Sequence, residues 1–171
     1  MLLGLITLPE ALIVLVSNET PISETKSEPR IDRDSKKAAQ EEAARIRWLL
    51  AINPNTPPPV LEHLARDTHH RMLERVAENP RAHSTTLARL SIHTDSQVRA
   101  SVAENPNTSI KTIWRLARDE NADVRLRLAE SYTIPVAVLK VLAEDDNPYV
   151  SQRAFSTMRR ILKEVHALRT A

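Results

Sequence analysis

Residues 98–119 read VRASVAENPNTSIKTIWRLARD, and this stretch decides the fold because it holds most of a unit that recurs along the chain. Shifting by 26 residues aligns Ala51-Ile52-Asn53-Pro54-Asn55, Ala77-Glu78-Asn79-Pro80-Arg81, Ala103-Glu104-Asn105-Pro106-Asn107 and a degenerate Ala129-Glu130-Ser131-Tyr132-Thr133. The same shift aligns Leu61, Leu87, Ile113 and Leu139, then Leu64, Leu90, Leu116 and Leu142, then Met72, Val98, Val124 and Val150. No insertion interrupts it, and a fixed period of this size is the mark of a solenoid.

Inside the unit the apolar residues follow helical spacing. Val98, Val102 and Ala103 stand at i, i+4 and i+5, and Ile113, Leu116 and Ala117 at i, i+3 and i+4, which makes two short helices per unit. His69, Asp95, Asn121 and Asn147 occupy the N-cap place of the first helix, and Pro148 follows at a first helical position, where a missing N–H costs nothing. The Asn-Pro pair stops that helix, since the residue before proline is pushed out of the α region. Thr56 and Thr108 are expected to cap the second helix, with Pro57, Pro58 and Pro59 confined to its first turn.

Neither helix can bury its stripe alone, so the units must stack and the ends must be closed by atypical elements. An alanine-rich entry helix is expected over 35–51 and an exit helix over 148–168. On the exit helix Ile161, Leu162, Val165 and Leu168 are expected to shield the open end of the last unit. The expected fold is all-α: a right-handed α-solenoid of four 26-residue two-helix repeats, over about 52–155, with capping helices at both ends.

Composition narrows the chemistry. The 171 residues contain no cysteine, which removes disulfides, iron–sulfur clusters and thiol catalysis. One glycine against eleven prolines excludes phosphate-cradling loops, which depend on positive φ. Residues 44–171 carry 19 Lys and Arg against 14 Asp and Glu, a mild excess spread over a long surface rather than a clustered stripe. Residues 1–16, MLLGLITLPEALIVLV, are apolar but lack a preceding Lys or Arg, contain Pro9 and Glu10, and fall short of the ~20 residues that span a bilayer. They read as an apolar extension, followed over 17–34 by a polar, proline-interrupted flexible linker. The solenoid is therefore expected to stand without residues 1–34, in the cytoplasm, with no membrane partner.

The unit resembles the variant leucine-rich repeat in Ile113-Trp114-Arg115-Leu116-Ala117-Arg118-Asp119, Val124-Arg125 and Val102-Ala103-Glu104-Asn105-Pro106. The resemblance covers about three quarters of the chain and implies a helical-repeat interaction surface; the cysteine-rich cluster segment of some members has no counterpart here. The fourth unit departs from the pattern at Ser131-Tyr132 and Ser151. The spacing of Asp119 and Arg125 also resembles HEAT repeats, in which such a pair implies an internal ladder. Arg99 is placed to reach a neighbouring unit's acid, while Leu73 and Ser151 break the series.

Candidate chemistry is sparse. His63, His69, His70, His83 and His93 could be combined with Asp67 or Asp95 into a metal site, but adjacent His69 and His70 point different ways, and no metal is expected. No glycine-flanked nucleophile and no apolar-flanked carboxylate pair is present, so neither catalytic residues nor a cofactor are expected. The outer stripe of the Val-Arg helices mixes signs, as in Arg71, Glu74, Arg75 and Glu78, and reads as a solvated face. The second helices differ. Trp114 takes a place held elsewhere by Glu62, Ala88 and Lys140, which predicts an exposed indole, with Lys111, Arg115, Arg118 and, one unit away, Arg89 around it. Trp among Arg is the composition of a binding hot spot. The expected function is a non-catalytic scaffold binding a protein or peptide; the alternative is a nucleic-acid-binding module that uses the Arg-rich face and Trp114.

Overall fold

The computed structural model describes residues 33–170, so the apolar segment 1–16 and nearly all of the linker lie outside the described residues. Nine helices follow one another: α1 (Arg33–Ile52), α2 (Pro58–Leu64), α3 (His70–Glu78), α4 (Ser84–Leu90), α5 (Ser96–Glu104), α6 (Ile110–Leu116), α7 (Ala122–Glu130), α8 (Val136–Ala143) and α9 (Pro148–Thr170). The odd-numbered helices stack in order, α1 on α3, α3 on α5, α5 on α7 and α7 on α9, and each short even-numbered helix packs between two of them. The result is an all-α, HEAT-like stack.

The resemblance to the variant leucine-rich repeat does not hold. A leucine-rich repeat contributes a β-strand in each unit, and none of the described residues lies in a strand.

One apolar core runs through the stack. Leu64, Leu90, Leu116 and Leu142 are buried along the short helices, and Met72, Val98, Val124 and Val150 along the long ones. Each such side chain contributes about 1.5–3 kcal/mol by leaving water, so the repeated positions carry the fold. Helix starts follow from side-chain caps: Asp95 Oδ1 accepts from Gln97 N at 2.8 Å, Asn121 Oδ1 from Asp123 N at 2.7 Å, and Asn147 Oδ1 from Tyr149 N at 2.9 Å. The short helices start differently from expectation. Thr56 and Thr108 do not cap them; each hydroxyl donates back to a long-helix carbonyl, Leu50 O and Val102 O, at 2.6 Å. The capping place falls one residue later, at Pro57, His83, Ser109 and Pro135, because the threonine is drawn inward to satisfy a helix-end carbonyl.

The asparagine of the Asn-Pro pair also does more than end a helix. Asn79 Nδ2 donates to Ala51 O and Asn53 O at 2.8 and 2.9 Å, and Asn105 Nδ2 to Ala77 O and Asn79 O at 2.6 and 2.8 Å. These buried amides tie each long helix to the one before it. In the last long helix Thr157 takes over, donating to Ala129 O at 2.6 Å, whereas Ser131 bonds only locally to Thr133.

α9 corrects the expected shield. Val150, Ala154 and Thr157 are buried and Met158 and Ile161 pack on the core, but Leu162, Val165 and Leu168 are exposed. The reason is length: α9 has 23 residues where α3, α5 and α7 have nine, so its end runs past the helices that could cover it.

Candidate interaction surface

The floor of the candidate surface is an ion-pair ladder. Arg99 on α5 forks onto Asp119, with Nε and Nη2 each 2.8 Å from a carboxylate oxygen, and its Nη1 donates to the carbonyls of His93 and Thr94. Arg125 on α7 does the same to Asp145 at 2.6 and 3.0 Å. Each pair joins a long helix to the loop that precedes the next one. The hydrogen bonds that Arg99 donates to Asp119 raise its pKa further, and those that Arg125 donates to Asp145 act likewise. Reciprocally, the Arg125 guanidinium holds the Asp145 carboxyl below the usual carboxylate range. Arg47 on α1 makes a looser contact with Asp67, 3.6 Å. At the remaining rung the arginine place holds Leu73 and the acid place His93. His93 keeps half of the acid's role: its Nδ1 accepts from Asp95 N at 3.0 Å, as Asp119 accepts from Asn121 N and Asp145 from Asn147 N.

At this floor lies a shallow cleft of about 420 Å³, lined by Ile92, His93, Arg115, Arg118 and Glu120 together with the Arg99–Asp119 pair. Ile92, in the turn after α4, is 66% exposed. The structure therefore brings Arg115 and Arg118 together with an apolar residue that the sequence analysis did not make part of a site. Trp114 differs from its expectation. It is half-buried and packs against the core, and the Arg118 guanidinium lies over its ring at 5.7 Å from the centroid. Its body folds back because α6 is short and leaves apolar surface beside the core for the indole to cover. Lys111 and Arg89 are exposed but do not line the cleft. None of Arg89, Lys111, Arg115 and Arg118 is in a salt bridge among the described residues.

The long-helix face contrasts with this. Arg127 meets Glu104 at 2.9 Å and Arg153 meets Glu130 at 3.3 Å, so these two arginines are answered from the neighbouring helix. Tyr149 and Phe155 stand exposed at its far end.

The histidines that the sequence offered as metal ligands do not gather. Instead His70, Glu74 and Asp95 bring one ligand atom each within 4.8 Å of one another. His70 and Glu74 have the i, i+4 spacing of a helical ligand pair, a signal carried by one histidine and a glutamate rather than by two histidines. Asp95 is already committed to capping α5, and no described residue hydrogen-bonds the His70 ring to orient it.

No helix of the described residues is long and apolar enough to cross a membrane. No protein-family model, no curated protein and no solved structure matches the chain; the described residues form a stack of repeat-like helices.

Proposed function

We propose that the chain is a non-catalytic cytoplasmic scaffold, a right-handed stack of four 26-residue two-helix repeats, that binds a protein or peptide along the face of its short helices. One observation carries this reading: Arg115 and Arg118, which make no salt bridge among the described residues, line one cleft with the exposed Ile92 beside Trp114, while the acids of that cleft, Asp119 and Glu120, are both engaged by Arg99. Unpaired guanidinium groups around an apolar contact suit an acidic segment that carries one aliphatic or aromatic residue. The long-helix face is a weaker candidate because Arg75, Arg127 and Arg153 on it already have acids.

A second reading has its own support. An arginine stacked on an indole among free cations also suits a single-stranded nucleic acid, with the base laid on the aromatic group.

Panning a random peptide display library on the full chain should enrich acidic peptides with one large apolar residue. Arg115→Glu with Arg118→Glu should weaken a selected peptide by about 2 kcal/mol, some thirtyfold, while stability stays within about 0.5 kcal/mol. A labelled oligonucleotide whose affinity falls steeply and linearly in log salt, with no peptide enriched, would replace this reading by the nucleic-acid one.

A further inference from the structure

The first long helix of the stack is unfinished. In α3, α5, α7 and α9 two aligned positions are sealed: Met72, Val98, Val124 and Val150 at one, Val76, Val102, Leu128 and Ala154 at the other, none more than 7% exposed. Their counterparts in α1 are Ile46, 49% exposed, and Leu50, 37% exposed. Each later long helix packs on the short helix that precedes it. Among the described residues α1 has no such helix.

We propose that the segment 8–17 is what docks on the exposed Ile46–Leu50 face of α1. The support is a register in the chain's own sequence. Leu8-Pro9-Glu10-Ala11-Leu12-Ile13-Val14-Leu15-Val16-Ser17 lies on Ile134-Pro135-Val136-Ala137-Val138-Leu139-Lys140-Val141-Leu142-Ala143, the stretch that forms α8, without a gap. Pro9 falls on the capping Pro135, Ile13 on the buried Leu139 and Val16 on the buried Leu142. Ser17 falls in the column of Ser91, and Glu19 in the column of Asp67, Asp119 and Asp145, whose carboxylates accept the N–H two residues on. Apolarity alone would not reproduce this order of proline, apolar pair, small residue and acid.

The chain can make the connection. α1 begins 11 residues before Ala44, the counterpart of the first residue of α3, so its start lies about 16 Å beyond the stack by helical rise. Residues 18–32, fully extended, reach about 50 Å, enough to return. Residues 1–34 are then not dispensable: the segment that reads as an apolar extension supplies the cap that the array needs at that end.

Because the chain has no cysteine, Leu50→Cys creates a single thiol. Maleimide labelling of that thiol should be slower by roughly tenfold or more in the full chain than in a chain lacking residues 1–19, at every protein concentration. Equal rates would overturn the proposal, and so would protection that fades on dilution, since a second copy would then be the occupant. A pair of variants tests the register independently. Ile13→Asp, in the column of the buried Leu61, Leu87 and Leu139, should lower Tm by about 5 °C, whereas Leu15→Asp, in the exposed column of His63, Arg89, Arg115 and Val141, should leave it unchanged. Equal effects of the two substitutions, or none from either, would also overturn it.

Discussion

Asn79 and Asn105 concentrate in one side chain what a repeat needs at its boundary. The Oδ1 atom accepts from the N–H two residues on, shaping the turn, while Nδ2 reaches two carbonyls of the preceding long helix and its exit. The helix stop at Asn-Pro was legible because proline restricts its neighbour locally. The clamp was not, because its acceptors are backbone carbonyls 26 and 28 residues away, which no side-chain pattern names. Trp114 failed for a related reason: its column of Glu62, Ala88 and Lys140 marks the direction of Cα–Cβ, not where a long flat side chain comes to rest. Asn105→Ala should cost roughly 2–4 kcal/mol, because two buried carbonyls lose their donor. Ser131 breaks this column, so Ser131→Asn should gain about 1 kcal/mol by restoring the bond. Denaturant midpoints at unchanged m-value check both, and a neutral Asn105→Ala would mean that the amide only fills space.

At the level of elements, the starts of α5, α7 and α9 were legible because Asp95, Asn121 and Asn147 are caps with a local mechanism. The shielding role of α9 was misread because amphipathicity reports that a helix has an apolar face, not how far its neighbours extend. Its stripe continues through Val165 and Leu168 after α7 and α8 have ended. Ending the chain after Leu162 should therefore change stability by no more than about 0.5 kcal/mol, since residues 163–168 are exposed. Ending it after Phe155 removes the Thr157 bond to Ala129 and the packing of Met158 and Ile161, and should lower Tm by several degrees. Paired melting curves decide this, and a large loss from the shorter cut would show that the overhanging face is covered in solution.

Across the whole molecule the two ladders compensate for each other's gaps. Between α1 and α3 the Asn79 clamp stands beside the looser Arg47–Asp67 contact. Between α3 and α5, where Leu73 and His93 leave no ion pair, Asn105 supplies the link; between α5 and α7, where Ser131 cannot reach, Arg99–Asp119 does. Between α7 and α9 Arg125–Asp145 and Thr157 act together. In a nearly one-dimensional array each junction sets how strongly its neighbours melt together, so the weakest place is the one whose only buried polar link is removed. Arg99→Leu does this at α5–α7 with a residue that the equivalent place on α3 already accepts, leaving Asp119 buried without its partner, a loss of roughly 3–5 kcal/mol. The Arg127–Glu104 pair at that junction is half-exposed and offsets little. Calorimetry of Arg99→Leu should resolve two transitions, and hydrogen exchange should speed up in α7 and α9 while α1 and α3 keep their protection. Arg125→Leu should leave one transition, because Thr157 and the packing of α8 on α9 still hold its junction. Adding Asp119→His to Arg99→Leu recreates the Leu73–His93 rung and should bring back part of the lost cooperativity. A single sharp transition in Arg99→Leu itself would mean that apolar stacking, and not the ladder, couples the two halves.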